Sequence, residues 1–398
     1  MKIPQNHNTS IDDLLQKGST SIFLSGWSKQ DEAYGVKRSL LSNALSESEN
    51  NADEYLFIDE MQEVKTWLSD VITETTTYKV DPANFAISSN GTATIFLILY
   101  NLHKHNKLKA LLLTPIYFSY IKLLNDFSVD IEFLQIVHNG SIVINYDELT
   151  KIIKANGINL IILNDPLFGA GIPFGIKNYN KIVEICNEYN VKLLVDYIYG
   201  GMEWGHSPSI INRYLINLTI NKKVILIDSI SKRIFLNGIK TSLVFAHSSI
   251  IKEFELSSVH TIGTLTSPQI SILKQLYTPS NRNSVLNTIG NTIRIARENY
   301  SLLKTLLMGT RLYLSNCDSG YFCLIYIPYC ILNYNVDNFL LAEHIIENLD
   351  ILTIPHDRYL HFCNSAYCFR INLTIPTNTL IISISNLLSF FNIHNALK

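Results

Sequence analysis

One lysine stands among hydroxyl residues directly after a strongly apolar segment. The run Val224-Ile225-Leu226-Ile227 has the pattern of a buried strand, and Ser229, Ser231 and Lys232 follow it. A lysine at the end of a core strand is costly to bury while charged, so burial lowers its pKa. A lowered pKa suits a lysine that attacks a carbonyl, because only the neutral amine is a nucleophile. The stretch is equally compatible with a lysine whose ammonium reaches the surface, so other residues must decide.

Polar residues also follow the other apolar segments in the middle of the chain. From Phe85 to Ala246, short apolar runs alternate with helical patterns, which predicts a parallel or mostly parallel sheet with helices on both faces. Sheets of this kind bind ligands at the carboxyl ends of their strands. The groups that follow these strands are Asn90, Gly91, Thr92, Tyr117, Asn164, Asp196 and Tyr199.

Each of these groups has an ordinary structural interpretation beside a chemical one. Asn90-Gly91-Thr92 opens a helix and suits a phosphate, because free N–H groups and the helix dipole attract anions, but it also fits a plain capped turn. Tyr117 suits stacking on a flat ligand or core packing. Asn164 suits donation to a ligand oxygen or an Asx turn. Asp196, an acid at a buried strand end, requires a cationic partner.

Length and composition limit the class of protein. The 398 residues, 47% of them hydrophobic, suffice for two domains with sizeable cores. A net charge of -2 does not favour a nucleic-acid partner. Without a signal-peptide pattern or an apolar run of about 18 residues, we expect a cytoplasmic protein with no membrane partner. The cysteines lack CxxC spacing, so we expect no metal site and interpret all of them as reduced core residues: Cys186, Cys317, Cys323, Cys330, Cys363 and Cys368.

In their order along the chain, these motifs resemble the class I/II aminotransferases, a family of fold-type I pyridoxal phosphate-dependent enzymes. The resemblance extends from about Tyr55 to Arg370. It implies an α/β fold, in which a large domain with a mostly parallel seven-stranded sheet sandwiched by helices stands beside a smaller α+β domain. The expected divisions are 1–54 for the N-terminal arm and part of the small domain, 55–290 for the large cofactor-binding domain, and 291–398 for the small C-terminal domain.

The resemblance also implies chemical roles. Lys232 matches the lysine that forms a Schiff base with pyridoxal 5'-phosphate. Asp196 matches the acid that pairs with the pyridinium nitrogen, and Tyr199 the tyrosine that hydrogen-bonds the phenolic oxygen of the ring. These three residues are the implied catalytic set. Asn164 matches an asparagine on the same oxygen, and Tyr117 falls where the family stacks an aromatic ring on the cofactor.

Further residues match the positions that hold the phosphate and the substrate. Arg370 matches the arginine that binds the α-carboxylate of the amino acid substrate, and Gly26 lies in the arm that closes over it. Tyr55 resembles a tyrosine that reaches the phosphate of a neighbouring subunit, which implies a homodimer with shared active sites. The residues implied at the phosphate of their own subunit are Asn90, Gly91, Thr92, Ser229 and Lys240.

The chain departs from the family pattern at several positions. Lysine stands where arginine is usual at position 240, which retains the charge but loses the bidentate fork. The other departures are Asp165 between Asn164 and Pro166, Tyr197 for a glutamate, and Ser242 and Asp59 for glycines.

The leading expectation is an aminotransferase that acts on an amino acid or a molecule derived from one. One alternative is another pyridoxal phosphate reaction, namely elimination, cyclisation or oxidation of an amino acid, as divergent relatives perform. A further alternative is a non-catalytic ligand-sensing protein with an aminotransferase-like domain. The short N-terminal segment leaves no room for the helix-turn-helix module of such regulators.

Overall fold

The structure is a computed structural model that describes residues 11–26, 38–49, 58–76, 78–210, 212–331, 338–355 and 366–391. Its described strands are β1 (Ile22–Phe23), β2 (Phe85–Ser88), β3 (Lys109–Thr114), β4 (Asp130–Gln135), β5 (Val137–His138), β6 (Ser141–Ile142), β7 (Leu160–Asn164), β8 (Lys192–Asp196), β9 (Val224–Asp228), β10 (Ser242–Phe245), β11 (Tyr313–Leu314), β12 (Phe322–Pro328), β13 (Ile351–Leu352) and β14 (Ala366–Asn372).

A seven-stranded sheet forms the centre of the molecule. Its strand order is β2-β10-β9-β8-β7-β3-β4. Strand β10 runs antiparallel to β2 and β9, and the remaining neighbours are parallel. This architecture confirms the predicted mostly parallel sheet. The register places Asn164 of β7 opposite Asp196 of β8, so two of the predicted site residues end adjacent strands side by side.

The central strands are apolar throughout because both faces of the sheet are covered. Every residue of β7 and of β9 is buried. The described helices are α1 (Ile11–Lys17), α2 (Arg38–Glu49), α3 (Ile58–Thr76), α4 (Gly91–His105), α5 (Phe118–Asp126), α6 (Tyr146–Asn156), α7 (Ile176–Glu188), α8 (Arg213–Leu218), α9 (Ile230–Arg233), α10 (Ser248–Thr261), α11 (Ser267–Tyr277), α12 (Pro279–Leu306), α13 (Asn338–Leu349) and α14 (Thr377–Phe390).

The sequence explains why such helices begin, end and face the sheet as they do. Helix α6 begins where the Asn145 side chain accepts a hydrogen bond from the Glu148 N–H and ends at Gly157, which has a φ of 63°. Helix α7 buries Tyr179, Ile182 and Ile185, which recur at the three-residue spacing of one helical face. Each such buried side chain stabilises the fold by about 1.5–3 kcal/mol.

A smaller sheet lies in the C-terminal part of the chain. Strand β12 pairs antiparallel with both β11 and β14, and its register places Leu324 opposite Arg370. The N-terminal segment also contacts this region, because β1 pairs parallel with β13. Cys330 is exposed, so the expectation that all six cysteines lie in the core is wrong at this position, and Cys363 lies outside the described residues.

None of the helices in the described part of the chain has the length and apolar character needed to cross a bilayer.

Candidate active site

A cavity of about 370 Å³ lies at the carboxyl ends of the central strands. Ten of the eleven predicted cofactor residues line it, and the eleventh, Tyr55, lies outside the described residues. The polar strand ends predicted from the sequence are therefore in one place. The full lining is Asn90, Gly91, Thr92, Tyr117, Phe118, Asn164, Phe168, Asp196, Ile198, Tyr199, Ser229, Ser231, Lys232, Asn237 and Lys240.

One end of the cavity is suited to an anion. Helix α4 begins there, and the Asn90 side chain accepts a hydrogen bond from the Ala93 N–H at 2.9 Å. The N–H groups of Gly91 and Thr92 occupy the first turn, where a helix has no acceptor of its own. A Cβ on Gly91 would lie 2.5 Å from the Ile198 side chain, so a larger residue would crowd this end.

The Ser229 hydroxyl and the Lys240 amine also line the cavity that the N-terminus of α4 borders. The Ser229 hydroxyl donates to the Thr241 carbonyl at 2.6 Å, which fixes the turn after β9. Lys240 is exposed, and its carbonyl accepts a hydrogen bond from Gln269 at 2.8 Å, so its backbone is held while its ammonium stays solvated. A solvated ammonium beside a helix N-terminus attracts an anion such as phosphate.

The carboxylate of Asp196 lies at the buried floor of the cavity. It accepts hydrogen bonds from the Ile198 N–H at 3.2 Å and from the Tyr120 hydroxyl at 3.3 Å. Burial raises its pKa to about 6, against the opposing effect of its hydrogen bonds, which include one from Asn164. A buried carboxylate with a raised pKa is stabilised when a cationic group approaches it. The floor of the cavity is therefore suited to a protonated ring nitrogen.

The Asn164 amide is oriented by its neighbours. Its carbonyl oxygen accepts a hydrogen bond from the Tyr117 N–H at 2.8 Å. This bond ties the end of β7 to the start of α5, so the Asn164 and Tyr117 side chains are fixed relative to each other. The amide N–H₂ group remains the donating end of Asn164.

Lys232 lies on the short helix α9 and is half-buried. Its Nζ donates to the side-chain oxygen of Asn237 at 2.9 Å. Burial, together with the smaller effects of the charges of Lys240 and Arg370, lowers the pKa of Lys232 to about 8. A substantial fraction of the amine is therefore neutral near physiological pH, as nucleophilic attack on a carbonyl requires.

A buried ion pair holds the turn that presents Lys232. Asp228 at the end of β9 pairs with Arg233, the residue after Lys232, and both side chains are buried. The Arg233 guanidinium also donates to the Ile210 carbonyl and lies over the Tyr197 ring at 5.6 Å. The ion pair therefore ties the turn after β9 to the turn after β8. Sequence reasoning missed it, although an acid and an arginine flanking Ser-x-Ser-Lys are visible in the sequence.

Aromatic rings line the other end of the cavity. The ring of Tyr117 lies 5.3 Å from Phe168 and 4.7 Å from Phe118. Tyr199 packs edge-on against Tyr321 at 5.7 Å, and burial raises the pKa of its hydroxyl. Tyr199 therefore remains a neutral phenol that donates a hydrogen bond.

Arg370 lies beside this aromatic wall rather than on the cavity lining itself. Its guanidinium is buried, lies 4.4 Å from the Phe322 ring centre and donates to the Ser25 carbonyl at 2.6 Å. Gly26 follows Ser25, and its carbonyl accepts a hydrogen bond from Asn372 at 3.0 Å. Gly26 therefore lies beside β14, the strand that contains Arg370, so the two predicted substrate residues are close together.

Three departures from the family pattern have hydrogen-bond partners, namely Asp165, Tyr197 and Ser242. Asp165 accepts hydrogen bonds from the Phe174 N–H and the Tyr179 hydroxyl, which fix the turn after β7. Tyr197 donates to Glu203 at 2.8 Å, and the Ser242 hydroxyl lies 2.7 Å from that of Thr94 on α4. Asp59 lies in α3, at its second residue.

Five lining residues were not singled out from the sequence. Two of them stand next to predicted residues, since Phe118 follows Tyr117 and Ile198 precedes Tyr199. Phe168 and Asn237 lie in the loops after Asn164 and Lys232. Ser231 belongs to the motif that ends at Lys232, and the sequence predicts no role for it. Proximity to a predicted strand end was the signal available for all of them.

Comparison with known proteins adds to this geometry. The sequence pattern of the family described as aminotransferase class I and II matches residues 29–381. No protein of curated function matches the chain by sequence. Three of the similar solved structures are the Escherichia coli protein YbdL, identified as a methionine aminotransferase (14% identity, 98% of each chain covered, TM-score 0.81), an archaeal alanine:glyoxylate aminotransferase (16%, 97% of this chain and 96% of the other, 0.82) and a Thermus thermophilus aspartate aminotransferase double mutant (12%, 97% of each, 0.81).

Proposed function

This chain belongs to the aminotransferase class I and II family, whose members are pyridoxal phosphate-dependent enzymes, and we propose that its cavity binds the cofactor through Lys232. The reaction is the transfer of an amino group from an amino acid to a 2-oxo acid. The observation that supports the assignment is the convergence of Lys232, Asp196 and the N-terminus of α4 in one cavity.

The residues present fit the cofactor at both of its charged ends. Gly91 leaves space at the first turn of α4, where a side chain would meet Ile198, and the first N–H groups of the helix suit the phosphate. Lys240 and Ser229 line the same cavity. Asp196 suits the ring nitrogen, because a carboxylate at that position keeps the nitrogen protonated.

When bound, the cofactor supplies a ring that accepts the electron pair left at the substrate Cα. The protein residues supply position and proton transfer. Tyr117 would hold the ring by stacking, and Asn164 and Tyr199 would donate hydrogen bonds to its phenolic oxygen. The free amine of Lys232, once the substrate amine has taken its place on the cofactor, would accept the proton from the substrate Cα as a general base, for which its pKa of about 8 is suitable.

Arg370 binds the α-carboxylate of the substrate in this proposal. A guanidinium binds a carboxylate through two parallel hydrogen bonds, which fix both position and orientation. The rings of Phe322 at 4.4 Å and Phe168 at 5.5 Å exclude water from part of the Arg370 guanidinium. This lowers the local dielectric constant and so strengthens the attraction between Arg370 and the substrate carboxylate. Ser25 and Gly26 lie beside Arg370, because the Ser25 carbonyl accepts a hydrogen bond from its guanidinium.

We further propose that the protein is a homodimer with shared active sites, as the resemblance at Tyr55 implies. Helices α4 and α10 pack together, and each exposes a large apolar side chain, Tyr100 on α4 and Leu256 on α10. A contiguous apolar surface across the two helices would suit a subunit contact. Light scattering of the purified protein should give twice the mass of the 398-residue chain, and a mass of one chain would contradict the dimer.

The cytoplasm is the proposed location. None of the five cysteines in the described part of the chain is in a disulfide, and four of them are buried. Free thiols persist in a reducing compartment. Labelling of the native protein in cell extracts should find the exposed Cys330 reduced, and an oxidised Cys330 would contradict this location.

A pair of lysine variants tests the proposed reaction. Lys232→Ala should abolish amino transfer from a panel of amino acids to a 2-oxo acid, while the protein still binds pyridoxal phosphate. Lys177→Ala, at an exposed lysine outside the cavity, is the matched control and should retain full activity. Oxygen uptake or elimination products without a new amino acid would instead favour another reaction of the same cofactor.

A further inference from the structure

The charged groups of the cavity are all assigned once the proposed function is accepted. Asp196 binds the ring nitrogen, Lys232 the carbonyl and Lys240 the phosphate, and each of the three lines the cavity. Arg370 binds the α-carboxylate. Among the described lining residues, no acidic or basic side chain is left to pair with a charge on the substrate side chain.

The part of the cavity nearest Arg370 is aromatic. The Arg370 guanidinium lies 5.5 Å from the ring centre of Phe168, which in turn lies 5.3 Å from Tyr117. Phe118 continues this row at 4.7 Å from Tyr117. On the other side, Tyr199 lies 5.5 Å from Phe322, the second ring against Arg370. A substrate whose carboxylate contacts Arg370 therefore places its side chain beside aromatic rings.

We propose that the amino acid substrate has an uncharged aromatic or large aliphatic side chain, and that Phe118 and Phe168 are its specificity-determining residues. This inference rests on the proposed function, because it uses Arg370 as the α-carboxylate site. Transfer of a charged side chain from water to an apolar wall is costly without a paired group, whereas burial of an aromatic ring there is favourable. The two classes of amino acid should therefore bind with clearly different affinity.

Two unreactive acids test the side-chain preference separately from the reaction. Both 3-phenylpropanoate and glutarate have a carboxylate for Arg370, but the first adds a phenyl ring and the second adds another carboxylate. Binding to the cofactor-loaded enzyme is measured by calorimetry. We expect 3-phenylpropanoate to bind at least about tenfold more tightly, a ratio typical of one well-placed apolar group. Equal or tighter binding of glutarate would overturn the inference.

Variants of Phe118 test whether this residue causes the preference for 3-phenylpropanoate over glutarate. Phe118→Ala should weaken binding of 3-phenylpropanoate by about tenfold while changing that of glutarate by less than about twofold. Phe118→Leu, which retains apolar volume, should restore most of the affinity if the alanine variant is poorly folded. Phe133→Ala removes a half-buried ring on β4, outside the cavity, and should leave both affinities unchanged. Equal weakening of both acids by Phe118→Ala would overturn the role of Phe118.

Binding of the two acids, taken together with the amino-transfer assay, separates the side-chain inference from the proposed reaction. If 3-phenylpropanoate binds more tightly but no amino acid transfers its amino group, the side-chain inference holds and the proposed reaction is wrong. If amino transfer occurs and glutarate binds more tightly, the reaction holds and the side-chain inference is wrong.

Discussion

The Lys232 amine should respond to the charge at position 240. Burial, Lys240 and Arg370 together lower the pKa of Lys232 from 10.5 to about 8, and burial has the largest effect of the three. Lys240 therefore accounts for less than half of the fall. Removing its charge in Lys240→Gln should raise the pKa of Lys232 by roughly 0.5 to 1 pH unit. At neutral pH the neutral fraction of the amine would then fall by about three- to tenfold.

Competitive labelling measures this pKa without the cofactor. An amine-reactive anhydride is added at a series of pH values, and mass spectrometry gives the labelled fraction of the peptide that contains Lys232. The exposed Lys107 in the same sample corrects for decay of the reagent. Labelling of the wild-type Lys232 should have its midpoint near pH 8 and rise with pH, because only the neutral amine reacts.

Lys240→Arg is the matched control, because it retains the charge and introduces the residue usual in the family. Its midpoint should stay at the wild-type value, while that of Lys240→Gln moves upward. A midpoint near 10.5 in the wild type would refute the role of burial in lowering the Lys232 pKa. Equal midpoints in all three proteins would refute the contribution of Lys240.

Three further perturbations test other parts of the site. Arg370→Lys should raise KM for the amino acid by about tenfold or more, because the bidentate contact is lost; an unchanged KM would place the carboxylate elsewhere. Asp196→Asn should lower kcat by about a hundredfold with cofactor bound, since its negative charge is gone, and unchanged kcat would refute its role. Arg233→Met should destabilise the fold by about 3–5 kcal/mol in denaturant unfolding, because Asp228 is left charged and buried; adding Asp228→Asn should restore much of that loss, and no effect of Arg233→Met would contradict the buried pair.

The sequence predicted the sheet and the strand ends because both depend on local pattern. Apolar runs such as Val224 to Ile227 form strands covered on both faces, and the polar residues after them meet at one edge. Ten of the predicted cofactor residues line one cavity for this reason.

The aromatic rings at the cavity and the Asp228–Arg233 ion pair could not be predicted from local sequence pattern. Phe168 and Phe118 follow predicted strand ends, but aromatic residues at such positions are as compatible with the core as with a cavity, and only the fold decides between the two. Contact of Phe322 with Arg370 requires β12 to pair with β14, which are distant in sequence. The Asp228–Arg233 pair requires α9 to turn the arginine back toward β9. Exposure of Cys330 likewise depends on where its loop lies.

The covalent attachment of the cofactor at Lys232 is the central claim. The protein is loaded with pyridoxal 5'-phosphate, reduced with borohydride and digested, and the modified lysine is identified by mass spectrometry. A phosphopyridoxyl group on the peptide containing Lys232 is the predicted result. The same group on Lys240 or another lysine, or no modified lysine at all, would contradict the claim.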